Sequence, residues 1–271
     1  MRHLPMPEDA GDDVIERQCA RPGWGARRVA WLAAAAAYRH ERGNPWKVAP
    51  AGFGPRAQAE LRQLYDTRGR GGVIARIRRP AGGYSCCPMC GSLGGRSLDH
   101  ALPRADFPEF SILRENLVPA CTMCNSDEKG STYRGRRPER FIHPYYDRWA
   151  SQALWRIEFA PDLDVLQFQA IPLGSVPRRY RRVVQFHVSK VLGKEWRDAV
   201  RRDWGSLPQS LRLRLGAAAD EVAIRHELEL RLVNAMLTYG ANCWDAGFLR
   251  GALADAHVVP KLVERIQALP A

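Results

Sequence analysis

Two Cys-x-x-Cys pairs lie in the middle of this sequence, Cys87 with Cys90 and Cys121 with Cys124. Four thiolates supplied by two such pairs can surround one Zn²⁺ in tetrahedral geometry. Gly91 follows the first pair and suits a tight turn that presents backbone N–H groups to the sulfur atoms. The spacing therefore predicts a structural zinc site, against the alternative of four buried free thiols.

The remaining cysteines do not extend this pattern. The chain has 7 cysteines, and an odd number gathered in two clusters favours metal binding over a disulfide framework. Cys86 is a spare beside the first pair, because Cys87 and Cys90 have the tighter spacing. We expect Cys19 and Cys243 to be ordinary small apolar or exposed thiols.

A second group of side chains lies between and just after the cysteine pairs. His100 is mostly neutral at pH 7 and can accept a proton from water. Asp99 and Asn125 offer hard oxygen ligands that suit Mg²⁺ or Mn²⁺. Two protein ligands leave about four positions of an octahedral ion for water and phosphate oxygens. These residue types could activate water against a phosphodiester.

The order of these residues resembles the HNH nuclease motif in its His-Asn-Asn form. Asp99 and His100 come first, Asn116 precedes an apolar pair, and Asn125 directly follows the second Cys-x-x-Cys. Zinc-stapled members of that family carry cysteine pairs around the motif, as residues 84–147 do here. The resemblance implies a ββα-metal fold, in which a two-stranded hairpin and a helix close over one divalent cation.

The resemblance also implies roles for the individual residues. His100 is the expected general base, and Asp99 with Asn125 is expected to bind the catalytic Mg²⁺ or Mn²⁺. Asn116 is expected to tie the loop between the strands and so fix the angle of His100. Many family members have His where this chain has Asn125, and the acidic tract before Lys129 argues against a phosphate contact by that lysine.

Simpler readings of the same residues stay open at this point. Asn125 could cap the helix that follows the second cysteine pair, since Asn is a favoured N-cap residue. Asn116 could be a plain turn residue. His100 taken alone could be structural, and His143 in "FIHPYYD" is expected to pack against the core rather than bind metal.

The predicted function is a metal-dependent HNH endonuclease that hydrolyses DNA and leaves 5′-phosphate and 3′-hydroxyl ends, with RNA not excluded. The alternative is a catalytically inactive, zinc-stapled nucleic-acid-binding or interaction module. The family resemblance also suggests the effector of an anti-phage defence or restriction system. The chain lacks a Gly-rich Lys-Ser/Thr motif for ATP, so any ATPase of such a system would be a separate subunit.

The charge of the chain favours a polyanionic partner. Lys and Arg number 41 against 29 Asp and Glu, which gives a net charge of +12. Arginines cluster at 76–79, 134–140 and 178–182, where they either track phosphates or form solvated faces. The longest apolar run, residues 29–38, is shorter than the roughly 18–20 residues that span a bilayer, so we expect no membrane and a cytoplasmic location.

The expected fold class is α+β. The predicted regions are an N-terminal helical region over 1–81, the HNH module over 82–147, and a short β-hairpin followed by helices over 148–271. Residues 1–22 are expected to fray, and helices are predicted over 26–42 and 55–68.

The C-terminal region carries two periodic patterns. "LWRIEF" and "DVLQFQAI" alternate like the two strands of a hairpin. Further along, apolar residues recur at every fourth position and form one stripe. The stripe consists of Val184, Val188, Leu192, Trp196, Val200 and Trp204. Two or three more helices are predicted over 207–268.

Overall fold

A computed structural model of the chain describes residues 1–7, 11–67, 86–93 and 97–270, together with Ile74 and Ile77. The protein combines helices with two small antiparallel sheets and a buried cluster of four cysteines. The predicted α+β class is confirmed at this level. Within the described residues, no helix has both the length and the apolar character needed to cross a bilayer.

Three helices form the N-terminal part: α1 Asp13–Cys19, α2 Arg28–His40 and α3 Pro55–Asp66. Helix α2 is rich in alanine, the residue that favours helix most, and α3 begins with proline, whose missing N–H is not needed at that position. Both helices confirm the predicted ones to within two residues at each end. They bury Trp31, Tyr38 and Leu61 in a core distinct from the one that holds the four cysteines.

The expectation that residues 1–22 fray is wrong for the described N-terminal residues. Met1 and Leu4 are each only 2% exposed and lie in the main core. The backbone is held as well, because Arg2 N donates to Pro88 O at 3.0 Å and Leu4 N donates to Pro144 O at 2.8 Å. The composition of this segment does not reveal two apolar side chains that fill a distant core.

A short hairpin carries the predicted motif. Strand β1 Ser97–His100 pairs antiparallel with β2 Leu117–Ala120, with Asp99 opposite Val118 and His100 opposite Leu117. The connecting loop, 101–116, contains two 3₁₀ turns, Pro108–Phe110 and Arg114–Asn116. A π-helical turn, Met123–Glu128, follows the second cysteine pair. The chain thus passes from two strands into one helical turn.

The C-terminal half confirms the predicted hairpin. Strand β3 Trp155–Phe159 pairs antiparallel with β4 Phe168–Pro172, and alternate residues of β3 are buried. Five helices follow: α4 Arg178–Val191, α5 Lys194–Leu215, α6 Glu221–Tyr239, α7 Trp244–Ala254 and α8 Val258–Gln267.

The predicted apolar stripe is buried at all six positions, but it spans two helices. Helix α4 ends at Val191 and α5 begins at Lys194, with Gly193 between them. A Cβ at position 193 would lie 1.6 Å from Glu128 Oε1, so a larger residue there would displace the Glu128 carboxylate. The same carboxylate oxygen accepts a hydrogen bond from Lys194 N at 3.2 Å and caps α5.

Two main cores meet around the hairpin. The larger core joins the four cysteines to β3, β4 and the C-terminal helices. The second core joins the N-terminal helices to Leu102, Phe107 and Phe110 of the loop between β1 and β2. Residues of the 82–147 region therefore contribute to both cores, and the division of the chain at 81 and 147 stays a prediction.

Candidate functional site

The four predicted zinc ligands come together in the structure. The sulfur atoms of Cys87, Cys90, Cys121 and Cys124 all lie within 4.8 Å of one another, and all four residues are buried. The sulfur atoms of Cys90 and Cys121 are 3.7 Å apart. A tetrahedral ion with Zn–S bonds of about 2.3 Å places its sulfur ligands about 3.8 Å apart. The cluster therefore fits zinc.

Backbone N–H groups point at these sulfur atoms. Cys121 N donates to Cys87 Sγ at 3.2 Å, and Cys124 N donates to Cys121 Sγ at 3.4 Å. Hydrogen bonds from Cys124, Cys87 and Cys90 also hold the pKa of Cys121 far below its usual range. The cluster thus favours at least one thiolate, the form that binds metal.

Gly91 forms the tight turn after the first cysteine pair, as predicted. Its φ angle is +84°, a left-handed conformation that favours glycine. A Cβ at this position would also lie 2.3 Å from Asn242 O. Cys86 stands outside the cluster and donates its thiol to Tyr239 O at 2.9 Å. Cys19 and Cys243 are both buried, in keeping with small apolar residues.

Asp99 forms a buried ion pair with Lys129. Lys129 Nζ lies 2.7 Å from Asp99 Oδ2, and the two side chains are only 2% and 7% exposed. The same ammonium group donates to His100 O at 2.9 Å. Lys129 thus points into the protein, which agrees with the argument against a phosphate contact. A cation bound by Asp99 would have to share the carboxylate with this lysine.

Two opposite effects act on the pKa of Asp99. Burial raises the pKa of Asp99, and the charge of Lys129 acts in the opposite direction. Although the two atoms are close, Asp99 Oδ2 receives no well-directed hydrogen bond among the described residues. A buried carboxylate oxygen in this state could still accept a further donor or cation.

His100 lies at the end of β1 and is held by the loop that follows. Its Nε2 lies 3.0 Å from Ser111 O, and its ring packs edge-on against Tyr65 with 4.6 Å between centroids. A carbonyl oxygen only accepts hydrogen bonds, so Nε2 carries a proton in this contact. The side chain is 9% exposed.

Asn116 is completely buried and ties the loop on both sides. Its Oδ1 accepts hydrogen bonds from Leu102 N at 2.8 Å and from Tyr38 OH at 3.1 Å. Its Nδ2 donates to Leu102 O at 3.0 Å and to Phe110 O at 3.2 Å. These contacts match the loop-tying role expected of Asn116 and exceed what a plain turn residue would make. Its part in catalysis stays a prediction.

Tyr38 contacts both Asn116 and His143, a buried histidine that was expected to pack in the core. Tyr145 N donates to His143 Nδ1 at 3.3 Å, so the Nε2 proton of His143 points to Tyr38 OH, 3.0 Å away. Burial lowers the pKa of His143 to about 3, which keeps the ring neutral. Sequence reasoning missed Tyr38, because it lies in an alanine-rich helix far from the motif.

Asn125 lies inside the π-helical turn rather than at its start. Thr122 holds the N-cap position, so the alternative that Asn125 caps this helix is wrong. Its Nδ2 donates to Ser97 Oγ at 2.9 Å and to Leu98 O at 3.2 Å, which joins the turn to β1. Its Oδ1 accepts no hydrogen bond from the described residues, and this is the atom predicted to bind metal.

The basic stretches differ in how far their charges are already paired. Of 76–79, only Ile77 is within the described residues. Arg140 forms two hydrogen bonds with Asp147, at 2.6 and 2.8 Å. Arg182 pairs with Glu139 at 2.8 Å. Arginines in two of the predicted phosphate-binding stretches are therefore already paired with carboxylates of the same chain.

Comparison with known proteins gives one relationship of note. The chain is 32% identical over 121 residues to protein ea31 of Escherichia phage lambda. That alignment covers 41% of this chain and 39% of the phage protein, less than half of each. No family model and no solved structure matches the sequence. The name of the phage protein specifies no reaction.

Proposed function

We propose that this chain is a metal-dependent HNH endonuclease that hydrolyses phosphodiester bonds in DNA. The observation that carries the proposal is the setting of His100, whose Nε2 is held by Ser111 O while the loop around it is tied by Asn116. The passage from two antiparallel strands into a helical turn supports a ββα-metal module. The four-cysteine cluster would hold a structural zinc ion beside it.

The residues divide the work of hydrolysis between them. His100 accepts a proton from water on Nδ1 as the water attacks phosphorus. Asn116 keeps the loop, and with it the imidazole, at a fixed angle. Asp99 and Asn125 would hold Mg²⁺ or Mn²⁺, which supplies charge relief for the phosphoryl and leaving oxygens. RNA would present the same phosphodiester, and a defence setting with a separate ATPase stays a prediction of the family resemblance.

One observation favours the alternative of a catalytically inactive binding or interaction module. Lys129 already neutralises Asp99, the carboxylate that should bind the catalytic cation. Both Asp99 and His100 are also largely buried, at 5% and 9% exposure. An inactive module would keep this arrangement as a structural ion pair.

Incubation with supercoiled plasmid separates the two candidates. We expect wild-type protein to nick the plasmid with Mg²⁺ or Mn²⁺ and not in buffer free of added divalent ions. His100→Ala should lower the nicking rate by about 10²–10⁴-fold, the usual contribution of a general base. His226→Ala changes an exposed histidine on α6 and should cut like wild type.

The control measurements decide how a negative result is interpreted. Zinc content and the circular dichroism spectrum would show that each variant is folded, and gel shift would show DNA binding. A folded, zinc-loaded wild type that binds DNA but never cuts it would establish the inactive module.

A further inference from the structure

An open cleft lies beside the candidate site. It has a volume of about 520 Å³, within the range of pockets that bind small molecules. Three segments form its walls: residues 45–50 after α2, residues 106 and 107 of the loop between β1 and β2, and residues 133 and 134. Two of these segments belong to the region that carries the predicted motif.

Aromatic rings and a cation line the cleft. The guanidinium carbon of Arg134 stands 4.7 Å from the centroid of Trp46 and 5.1 Å from that of Tyr133. Arg134 is exposed and donates to Pro45 O at 2.7 Å. Within the part of the chain that the structure describes, it forms no ion pair with a carboxylate. Its charge therefore remains available to an anion.

The rings are held before any ligand arrives. Trp46 Nε1 donates to Glu139 O at 3.1 Å. Tyr133 packs at right angles against Phe107, with 5.6 Å between ring centroids. Rings fixed in this way lose little freedom when a planar group stacks on them, which favours affinity. Asp106 adds a carboxylate at the rim of the cleft, where it can accept a base N–H and disfavours a bare polyphosphate.

A second, smaller cavity shares lining residues with the cleft and also borders chain neighbours of the candidate site. This cavity of about 20 Å³ is lined by Pro45 and Tyr133, which also line the cleft, and by Ala101 and Lys129. Ala101 follows His100 in the chain, and Lys129 is the partner of Asp99. Residues that line the cleft and immediate neighbours of Asp99 and His100 therefore border the same small cavity.

We propose that this cleft binds one unpaired nucleotide of the nucleic-acid substrate, with the base packed against the wall that Trp46, Tyr133 and the guanidinium plane of Arg134 form together, and the phosphate at the N–H edge of Arg134. The proposal rests on the proposed function, because it names the form of nucleic acid that the same site receives. A base inside a duplex has no open face, so it must be single-stranded or turned out of the helix to enter. Stacking accepts any base, so the cleft confers a preference for unpaired strands and little sequence preference.

Fluorescence anisotropy tests the proposal without any cleavage. The probe is a labelled oligothymidylate of about ten nucleotides, with Mg²⁺ and Mn²⁺ omitted, compared with a duplex of equal length. Wild type should bind the single strand more tightly. Tyr133→Leu removes the ring face and should weaken that binding about tenfold, while Tyr133→Phe keeps the face and should stay within about twofold of wild type.

A charge-matched pair of variants separates the cleft from general attraction. Arg134→Gln should weaken single-strand binding by about five- to tenfold, because it removes both the cation at the phosphate and the guanidinium plane beside the two rings. Arg197→Gln removes the same charge from an exposed residue of α5 that lies outside the cleft and outside the three basic stretches, and should change binding by less than about twofold. Should Tyr133→Leu fail to fold, the arginine pair decides.

Two results would overturn the cleft proposal. One is unchanged binding in Tyr133→Leu and Arg134→Gln, and the other is equal losses in Arg134→Gln and Arg197→Gln. These outcomes are independent of nicking. A protein that cuts plasmid but shows either result retains the endonuclease and loses the cleft. A protein that binds single strands through Tyr133 and Arg134 but never cuts retains the cleft and loses the endonuclease.

Discussion

The four-cysteine cluster and the end of strand β1 are both buried, and they compensate negative charge in different ways. The cysteines face one another and backbone N–H groups, with Cys90 and Cys121 sulfur atoms 3.7 Å apart. Asp99 instead has the ammonium group of Lys129 at 2.7 Å. Buried thiolates need a cation that this cluster must take from solution, whereas the carboxylate already has one from the chain. Metal should therefore be essential to the fold at the first region and compete with a lysine at the second.

The largest effect should come from removing one zinc ligand. We expect Cys121→Ser to lose the bound zinc and to lower the free energy of unfolding by about 5 kcal/mol or more, since structural zinc contributes folding energy directly. Elemental analysis and urea denaturation measure the two effects. Cys86→Ser changes a buried thiol outside the cluster and should keep the zinc. Full zinc occupancy in Cys121→Ser would remove the distinction between the two regions.

Breaking the buried ion pair should have the next largest effect. Lys129→Met leaves the Asp99 carboxylate buried without its cation, which should cost about 3–5 kcal/mol of stability. The double variant Lys129→Met with Asp99→Asn should recover part of that loss, because neither charge then remains. Urea denaturation of the wild type, of each single variant (Lys129→Met and Asp99→Asn) and of the double variant gives the coupling energy between the two residues. Additive losses would show that the pair does not act as a unit.

The same series tests the competition for Asp99. Lys190→Met removes an exposed lysine on α4 and serves as the control, with an expected change within about 0.5 kcal/mol. If Asp99 also binds the catalytic ion, Lys129→Met should reach half-maximal nicking at a lower Mn²⁺ concentration than wild type. An unchanged Mn²⁺ dependence would place the metal away from Asp99.

Loss of the loop tie should be slightly less costly. Asn116→Ala removes four hydrogen bonds and leaves buried partners in the loop, so we expect a loss of about 3 kcal/mol. Asn234→Ala changes an exposed residue of α6 and should have almost no effect. A loss below about 1 kcal/mol for Asn116→Ala would show that the loop is held by its apolar core instead.

The smallest expected effect is on the pH dependence of stability, and it involves two buried histidines, one near each region. Burial lowers the pKa of His143 and His187 to about 3. His143 contacts Tyr38, which donates to Asn116. His187 Nε2 lies 2.8 Å from Met89 O, between Cys87 and Cys90. An unfolded histidine has a pKa near about 6.5, so between the two values the unfolded chain binds more protons. Stability should therefore fall as the pH falls through this window.

Each of these histidines contributes up to about 1.4 kcal/mol per pH unit. Between about pH 6 and pH 4.5, His143→Gln and His187→Gln should each show a shallower decline in unfolding free energy than wild type. His226→Gln, at an exposed position, should follow the wild-type slope. A steeper decline in either buried variant would contradict the neutral state of that ring.

Local patterns predicted the parts of the fold that depend on nearby residues. The cysteine spacing identified all four members of the cluster, and the alternation in 155–159 identified β3 with its buried face. Helices α2 and α3 followed from alanine content and from proline at a first helical position. In each case the physical cause acts over a few residues, so the sequence displays it.

Contacts between distant residues left no such pattern. Nothing near Lys129 indicates that its ammonium turns inward to Asp99, and nothing near Tyr38 indicates a bond to Asn116. The docking of Met1 and Leu4 in the main core is equally invisible in a segment rich in Pro and Asp. Each contact depends on how separate elements pack, and that information becomes available only in three dimensions.

Glu128 links the start of α5 to the turn beside the candidate site. Its carboxylate caps α5 through Lys194 N and fills the space above Gly193, while the same short turn carries Asn125. Helix α5 is the longest of the described helices, and its first residue contacts the turn that carries Cys124 and Asn125. Loss of the Glu128 carboxylate would therefore remove an acceptor from the start of α5 and, with it, a contact between that helix and the turn that carries Asn125.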